Sequence, residues 1–324
     1  MIFAKSYTLD FHSGKTVDRS ILPDETGDSP RSASTGESPL KKRGVAILFS
    51  RRESALPGNP LGELQTTNLG ARNKPNSMNN ATQRGRPMSR PAKVVFFDLG
   101  ETLVTQNIED NMVTRNALRE ISPILPKRVS PERMFELYHE GYKINETIRS
   151  RHHVEIPIEV WMRQLLERII QDDPSDQLVN KAIKIIVKAR AANAVAFDDA
   201  HSTIQKLSRG DVKLGIISNV SSHEVAMGIL DNVRLTRYFD EIITSATVGI
   251  RKPDPGIFRY ALMQFKARPE EAVMVGDSEI HDIGGGYILG LKTVLVDRRH
   301  RVENSLADHH FNSLRDASRK LESL

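Results

Sequence analysis

Apolar runs that stop abruptly at polar side chains carry most of the functional information in this chain. The apolar segment Val94–Phe97 is followed at once by Asp98, and a second apolar segment, which begins at Leu214, ends in Ser218 and Asn219. Such runs are typical of strands buried on both faces of a parallel sheet. Because ligands bind outside the carboxyl ends of these strands, Asp98 is expected at a ligand crevice, where a carboxylate can act as nucleophile or metal ligand. Considered alone, Asp98 could equally open a turn or cap a helix.

Two further motifs bring a lysine and a pair of aspartates to comparable positions. Lys252 lies in a proline-punctuated loop that precedes a predicted helix. The apolar segment Ala272–Gly276 ends at Asp277, and Asp282 follows five residues later. A carboxylate, a hydroxyl, a lysine and an acidic pair therefore occur in this order, three of the four at predicted strand ends.

The elements that must position these side chains predict an α/β fold. Beyond the first strand, further strands are expected at Leu214–Ser218, Glu241–Ser245, Ala272–Gly276 and Lys292–Asp297, with helices between them. This alternation implies a parallel sheet that is covered on both faces. Right-handed crossovers then limit the topology to a Rossmann-like, doubly wound core.

Residues 108–195 interrupt the alternation with helical character. The pairs Trp161/Met162, Leu165/Leu166 and Ile169/Ile170 recur every four residues and form one apolar stripe. A stripe with this period is typical of a helix that packs against a core, so Trp161 is assigned to packing. The span predicts a helical region inserted between the first and second strands.

Together the four motifs resemble those of the haloacid dehalogenase superfamily of hydrolases, most of which are phosphatases. The resemblance runs from about Lys93 to the C-terminus. It implies an α/β core formed by residues 93–107 and 196–324, and a helical cap at residues 108–195. The cap would close over the mouth of the sheet and exclude water.

The resemblance also implies the catalytic roles. Asp98 would attack phosphorus and form an acyl phosphate, which water then hydrolyses. Ser218 would donate a hydrogen bond to the transferring group, and Lys252 would act on it as a point charge. Thr102 and Asn219 complete the expected phosphate-binding set, and the expected substrate is a small phosphorylated metabolite.

A Mg²⁺ cofactor is expected because the nucleophile and the phosphate are both anionic, and a bound cation would reduce their repulsion. Asp98 and Asp277 would bind it through carboxylate oxygens, and the resemblance adds the backbone carbonyl of Gly100. Asp282 completes the expected metal site, where it would orient Lys252 or a metal-bound water.

One departure from the family pattern lies at Gly100. Most phosphatases of the resembled family carry a second aspartate there, which acts as general acid and base and is typically worth ~10²–10⁴-fold in rate. Glu101 and His281 are candidates to replace it.

Two alternatives to a phosphatase stay open. One is a 2-haloacid dehalogenase, whose halide leaving group needs no protonation, although the pair Asp277 and Asp282 favours a metal-dependent enzyme. The other is a pseudo-phosphatase that binds phosphate compounds without turnover.

The excess positive charge lies outside the motif-bearing region. Residues 1–92 hold 14 of the 46 basic and 8 of the 41 acidic side chains, so they carry a net +6 and the remainder −1. This segment is rich in polar residues, Gly and Pro and lacks a helical or strand period, so it is predicted to be disordered. Its basic patch, Lys41–Arg52, could contact RNA or anionic lipid or form a solvated tail, and translation could also begin at Met78 or Met88.

Composition excludes several classes of protein. The 324 residues include no cysteine, so disulfides and thiolate chemistry are excluded and a reducing cytoplasm is the expected location. No apolar run approaches the ~18–20 residues of a membrane span. The core lacks the basic excess of a nucleic-acid-binding surface. A monomer or homodimer is expected, with His309 and His310 in a solvated loop.

Overall fold

The computed structural model describes residues 91–323 and two short N-terminal strands, β1 (Tyr7–Leu9) and β2 (Thr16–Asp18), which pair antiparallel. Two compact units divide the chain, Met1–Ser77 and Met78–Leu324. The predicted disorder of the N-terminal segment and its basic patch lie outside the described residues. Among the residues described, no helix is long and apolar enough to span a membrane.

A six-stranded parallel sheet forms the centre of the second unit. Its strands are β3 (Val94–Phe97), β6 (Lys213–Ser218), β7 (Glu241–Thr244), β8 (Ala272–Gly276), β9 (Lys292–Val296) and β10 (His309–Phe311). They lie in the order β10-β9-β8-β3-β6-β7, and every neighbouring pair is parallel. The chain runs from β3 to one side of the sheet and returns on the other side at β8. Strand β3 therefore lies where the strand order reverses, which is where open α/β sheets bind ligands.

Helices cover both faces of this sheet. They are α5 (Ala200–Leu207), α6 (His223–Asn232), α7 (Ser245–Val248), α8 (Pro255–Gln264), α9 (Gly285–Leu289) and α10 (Leu314–Glu322). Val95 and Phe97 belong to one buried apolar cluster, whereas Val94 and Phe96 belong to another, which includes Phe258 of α8. Burial of alternate residues on opposite faces explains the continuous apolar run and confirms the predicted Rossmann-like fold.

Four helices follow β3 and precede α5, within the segment predicted to be helical. They are α1 (Asp110–Ile121), α2 (Pro131–His152), α3 (Ile158–Ile170) and α4 (Asp176–Asn193). A small antiparallel pair, β4 (Val104–Gln106) and β5 (Ala194–Ala196), joins the two ends of this helical segment. The helices enclose an apolar cluster of their own, against which Trp161 packs as expected.

The shortest strands differ from expectation. The pair β4 and β5 is not apparent from the sequence, because each strand has three residues. His309 and His310 were expected in a solvated loop, which is wrong, because they lie on the edge strand β10. His310 Nε2 is 3.7 Å from a carboxylate oxygen of the buried Asp297.

Candidate active site

Three neighbouring strands bring the predicted site residues to one edge of the sheet. Asp98 follows β3, Ser218 ends β6 and Asp277 follows β8. Because the strands are parallel and adjacent, their carboxyl ends meet at this edge. The backbone amide of Asp98 also donates to the carbonyl of Val275 at 2.9 Å, which fixes the start of the nucleophile loop against β8.

Lys252 lies at the centre of the site. Its Nζ is 2.6 Å from Asp98 Oδ1, 2.6 Å from Asp282 Oδ1 and 2.6 Å from the carbonyl oxygen of Ile217. The side chain is only 2% exposed. Burial by itself would lower the pKa of Lys252, but Asp282 and Asp98 outweigh burial and raise it. Lys252 is therefore a fixed positive charge held beside the predicted nucleophile.

Three carboxylates crowd around this lysine. Oxygens of Asp98, Asp277 and Asp282 all lie within 4.8 Å of one another. Burial, with repulsion from Asp282 and Asp277 and against the attraction of Lys252, raises the pKa of Asp98 to about 7. Burial and repulsion from Asp282 raise the pKa of Asp277 to about 6. Three carboxylates thus gather around one buried lysine, and their oxygens are a donor set that fits a hard divalent cation.

The acidic loop after β8 is shaped by close packing around Gly276. A Cβ at this position would lie 2.2 Å from Asp282 Oδ2, so only glycine allows Asp282 to return over the end of the strand. Asp282 Oδ2 accepts a hydrogen bond from the amide of Ser278 at 3.0 Å. The intervening residues, Glu279–Gly284, form a π-helical turn. This turn directs Asp282 Oδ1 toward Lys252.

The glycines after the acidic loop serve close packing. A Cβ on Gly285 would lie 2.4 Å from the ring of Phe258, and one on Gly286 would lie 3.2 Å from Thr293. Glycine at these positions lets α9 approach α8 and the sheet closely.

The other predicted phosphate ligands have different surroundings. Thr102 is fully buried, and its Oγ1 is 3.4 Å from Asp277 Oδ1. The side-chain amide of Asn219 makes two hydrogen bonds with the backbone of Lys252. Its Nδ2 donates to the carbonyl at 2.9 Å, and its Oδ1 accepts from the N–H at 2.8 Å. In this structure Asn219 therefore holds the lysine loop (residues 249–254) in place, and its contact with phosphate stays a prediction.

Gly100 occupies an open position in the nucleophile loop. Apart from its two chain neighbours, none of the described residues has an atom within 4 Å of the place that a Cβ would take. The local bridge to Val104 uses the amide of Glu101 and the carbonyl of Leu99. These bonds do not use the Gly100 carbonyl, the predicted metal ligand.

Sequence reasoning did not single out the basic run after β9. In this arginine loop (residues 298–302), Arg298 makes a bidentate pair with Asp199 at 2.8 and 3.1 Å and donates to the carbonyl of Thr102 at 3.0 Å. Arg301 Nη2 is 3.3 Å from Asp277 Oδ2, and Arg299 contacts the carboxylate of Glu101. The sequence did offer one indication of this contact. The basic run directly follows β9, a predicted strand whose carboxyl end lies at the same edge of the sheet as the other site residues.

A second missed feature joins the helical segment to the lysine loop. The Glu155 side chain is fully buried and contacts Arg251 and Ser245. The Glu155 amide donates to the carbonyl of Gly249 at 3.0 Å, and the Ile158 amide donates to that of Ser221 at 2.7 Å. The loop between α2 and α3 is thus bonded to the core beside Lys252.

Two curated relatives are phosphatases by name. Glyceraldehyde 3-phosphate phosphatase from Methanopyrus kandleri is 30% identical over 207 residues, which is 64% of this chain and 84% of that protein. Pyrophosphatase PpaX from Bacillus cereus (strain Q1) is 38% identical over 202 residues, which is 62% of this chain and 82% of that protein.

Solved structures share the fold. A 2-haloacid dehalogenase from Pseudomonas syringae pv. Tomato DC3000 has a TM-score of 0.56 at 23% identity and covers 72% of this chain and 98% of its own. A HAD phosphatase from Thermococcus onnurineus has a TM-score of 0.51 at 24% identity and covers 71% and 97%. The profile of the haloacid dehalogenase-like hydrolases matches residues 132–296, about half of the chain. With its parallel sheet and its curated relatives, this chain belongs to the haloacid dehalogenase-like hydrolase family.

Proposed function

We propose that this hydrolase is a Mg²⁺-dependent phosphatase that cleaves small phosphomonoesters through an aspartyl phosphate on Asp98. The observation that carries the proposal is the bonding of Lys252 Nζ to both Asp98 and Asp282, with Asp277 beside them. This arrangement provides a carboxylate nucleophile, a fixed positive charge and an acidic set for a cation at one edge of the sheet.

The curated relatives favour phosphate chemistry over dehalogenation. Both relatives described above are named for the hydrolysis of phosphate compounds. The solved structures include a dehalogenase and a phosphatase, and at their level of identity they support the fold alone. Support for a phosphatase therefore comes from the relatives and from the acidic set, which a dehalogenase would not need.

The acidic cluster fits a magnesium ion better than it fits a structural ion-pair network. Its three carboxylates face two basic side chains, the buried Lys252 and the exposed Arg301. Burial raises the pKa values of Asp98 and Asp277. Asp98 and Asp277 would hold the ion, together with the Gly100 carbonyl. A bound Mg²⁺ would supply positive charge that favours the ionised form of Asp98 and attracts a phosphate dianion.

Residues of the chain itself would perform the transfer. The Asp98 carboxylate attacks phosphorus, the alcohol of the substrate leaves, and water then hydrolyses the acyl phosphate. Lys252 stabilises the negative charge that develops on the phosphoryl oxygens, and its two aspartate contacts fix its position. Ser218 lies buried at the end of the adjacent strand, where its hydroxyl would hydrogen-bond to the same group.

The helical segment would act as the cap that closes this edge and selects the substrate. Its attachment through β4 and β5 and the contact of Glu155 with the lysine loop support this role. The core would be formed by residues 93–107 and 196–324, and the cap by residues 108–195. A cytoplasmic location is consistent with the absence of cysteine.

Assaying the full chain against phosphomonoesters and 2-haloacids, with Mg²⁺ or with EDTA, tests the proposal. Release of phosphate that stops with EDTA is the expected result. Turnover of a 2-haloacid that survives EDTA would establish the dehalogenase instead. Binding of phosphate compounds without turnover, and without a trapped acyl-phosphate analogue on addition of fluoride, would indicate a pseudo-phosphatase.

A further inference from the structure

We propose that Arg299 and Arg301 bind a second anionic group of the substrate. The preferred substrates would then be phosphate compounds that carry a carboxylate or a second phosphate close to the phosphoryl group that is removed. This inference rests on the proposed function, because it takes Asp98 as the place where phosphorus is attacked.

The two arginines lie directly beside the site residues. Strand β9, which precedes them, is the neighbour of β8, which carries Asp277. Arg301 Nη2 is 3.3 Å from Asp277 Oδ2, and Arg299 contacts Glu101 in the nucleophile loop. The side chain of Arg299 is 59% exposed and that of Arg301 is 55% exposed, so a ligand that enters from solvent can reach both guanidinium groups.

The arginine loop is anchored to the core at both of its ends. Asp297 is buried, and its carboxylate accepts a hydrogen bond from the backbone amide of Val302 at 2.8 Å. Arg298, the inward-facing member, is fixed by its bidentate pair with Asp199. Because the backbone is already ordered, binding of an anion would not have to order the loop.

The charge at Asp277 explains how Arg301 would become available. Arg299, which contacts the partly exposed Glu101, would reach the anion from its solvent-facing side. In the structure Arg301 offsets part of the negative charge of Asp277. A Mg²⁺ bound by Asp277 would take over that role, which would leave the guanidinium free to face an incoming anion. The planar fork of arginine matches the two oxygens of a carboxylate or phosphate. Pyrophosphate, for which one set of relatives is named, carries such a second group, whereas glyceraldehyde 3-phosphate does not.

Binding measurements on the full chain separate this inference from the proposed function. In an Asp98→Asn background with saturating Mg²⁺, titration calorimetry would give dissociation constants for pyrophosphate, 2-phosphoglycolate and glyceraldehyde 3-phosphate. Adding Arg299→Gln and Arg301→Gln should weaken at least one of the first two by about tenfold or more, since hydrogen bonds to charged groups are lost. The loss for glyceraldehyde 3-phosphate should be at least fivefold smaller, an order-of-magnitude expectation from the same bonds. Weaker binding of pyrophosphate identifies the second anionic group as phosphate, and weaker binding of 2-phosphoglycolate identifies it as carboxylate.

Arg209→Gln is the control, because it removes one positive charge by the same substitution at an exposed position before β6, at the opposite edge of the sheet. Equal weakening of all three probes, or none, or the same effect from Arg209→Gln, would overturn the inference. Selective weakening together with a wild-type protein that hydrolyses no phosphomonoester in the assay described above would leave the anion site standing and remove the proposed function. Hydrolysis without selectivity would do the reverse.

Discussion

Asp98 must be ionised to attack phosphorus, yet burial raises its pKa to about 7. The contact with Lys252 and a cation at the acidic cluster both favour the charged form. The residues that surround the nucleophile are therefore as important to its reactivity as its own carboxylate.

Asp98→Asn removes the attacking charge and keeps the shape of the side chain. We expect turnover to fall to background, because the amide does not form an acyl phosphate, while the circular dichroism spectrum and melting temperature stay close to those of the wild type. Steady-state assays with p-nitrophenyl phosphate measure the effect. More than a few per cent of residual activity in a purified sample would contradict covalent catalysis by Asp98.

Asp277→Ala tests the metal site independently of turnover. Millimolar Mg²⁺ should raise the melting temperature of the wild type, because a ligand that binds only the native state stabilises it. The variant should lose both activity and this thermal shift. Exposed Glu303→Ala provides a control of similar charge change. An unchanged Mg²⁺ shift in Asp277→Ala would place the ion elsewhere.

Gly100→Asp tests whether the missing general acid can be restored. The position is open, so the new side chain should fit without a loss of stability. We expect a severalfold gain in kcat for alkyl phosphates, below the ~10²–10⁴-fold of an optimised general acid. The gain should be smaller for p-nitrophenyl phosphate, whose leaving group needs little protonation. A folded variant with equal or lower kcat on both substrates would argue against this role.

At the scale of the elements, the strands were predictable where burial is complete. The apolar runs of β3, β6 and β8 end at the residues where the sequence places them, because strands buried on both faces leave no polar positions. Strand β10 was missed because it is short and contains two histidines at the edge of the sheet.

The loops of the site were less predictable, because contacts between distant residues determine them. The order of the motifs predicted that Lys252 and Asp282 would approach Asp98. The π-helical turn Glu279–Gly284 was not foreseen, because it depends on the clearance above Gly276. The anchoring of the arginine loop likewise depends on Asp199, which is 99 residues away in the sequence.

Asp199→Asn should destabilise the junction of three elements. The Asp199 carboxylate is bonded to Arg298 and to the amides of Leu314 and Arg315 at the start of α10. Loss of its charge removes the ion pair with the half-buried Arg298, which keeps its bond to the carbonyl of Thr102, so we expect the free energy of unfolding at pH 7 to fall by about 1–3 kcal/mol. Urea denaturation measures this change, and exposed Asp198→Asn is the control.

The same pair predicts a pH dependence. Burial alone would raise the pKa of Asp199, but the bonds from Arg298 and the α10 amides outweigh it and lower the pKa below its ordinary value of 3.8. The stability that this carboxylate contributes is therefore complete above about pH 4 and is lost as the pH falls through the lower value. The difference in melting temperature between wild type and Asp199→Asn should shrink below about pH 4. A constant difference down to pH 3 would contradict this.

At the scale of the whole molecule, residues 91–323 contain the complete sheet, the helical segment and the candidate site. Removal of residues 1–87, so that the chain starts at Met88, should leave the melting temperature and kcat within experimental error. Differential scanning fluorimetry and steady-state kinetics on both forms test this. Precipitation or loss of activity of the shorter form would show that the N-terminal segment contributes to the fold.

The buried Glu155 couples the position of the helical segment to that of the lysine loop. The helical segment is tethered not only by its two chain crossings at β4 and β5 but also by a third attachment, which ends on Arg251, the neighbour of Lys252. Rotation of this segment away from the sheet would remove the Glu155 carboxylate from its buried position and displace the lysine loop. If the helical segment is the cap, the movement that admits substrate would also displace Lys252. The site would then have its catalytic geometry only when the cap is closed.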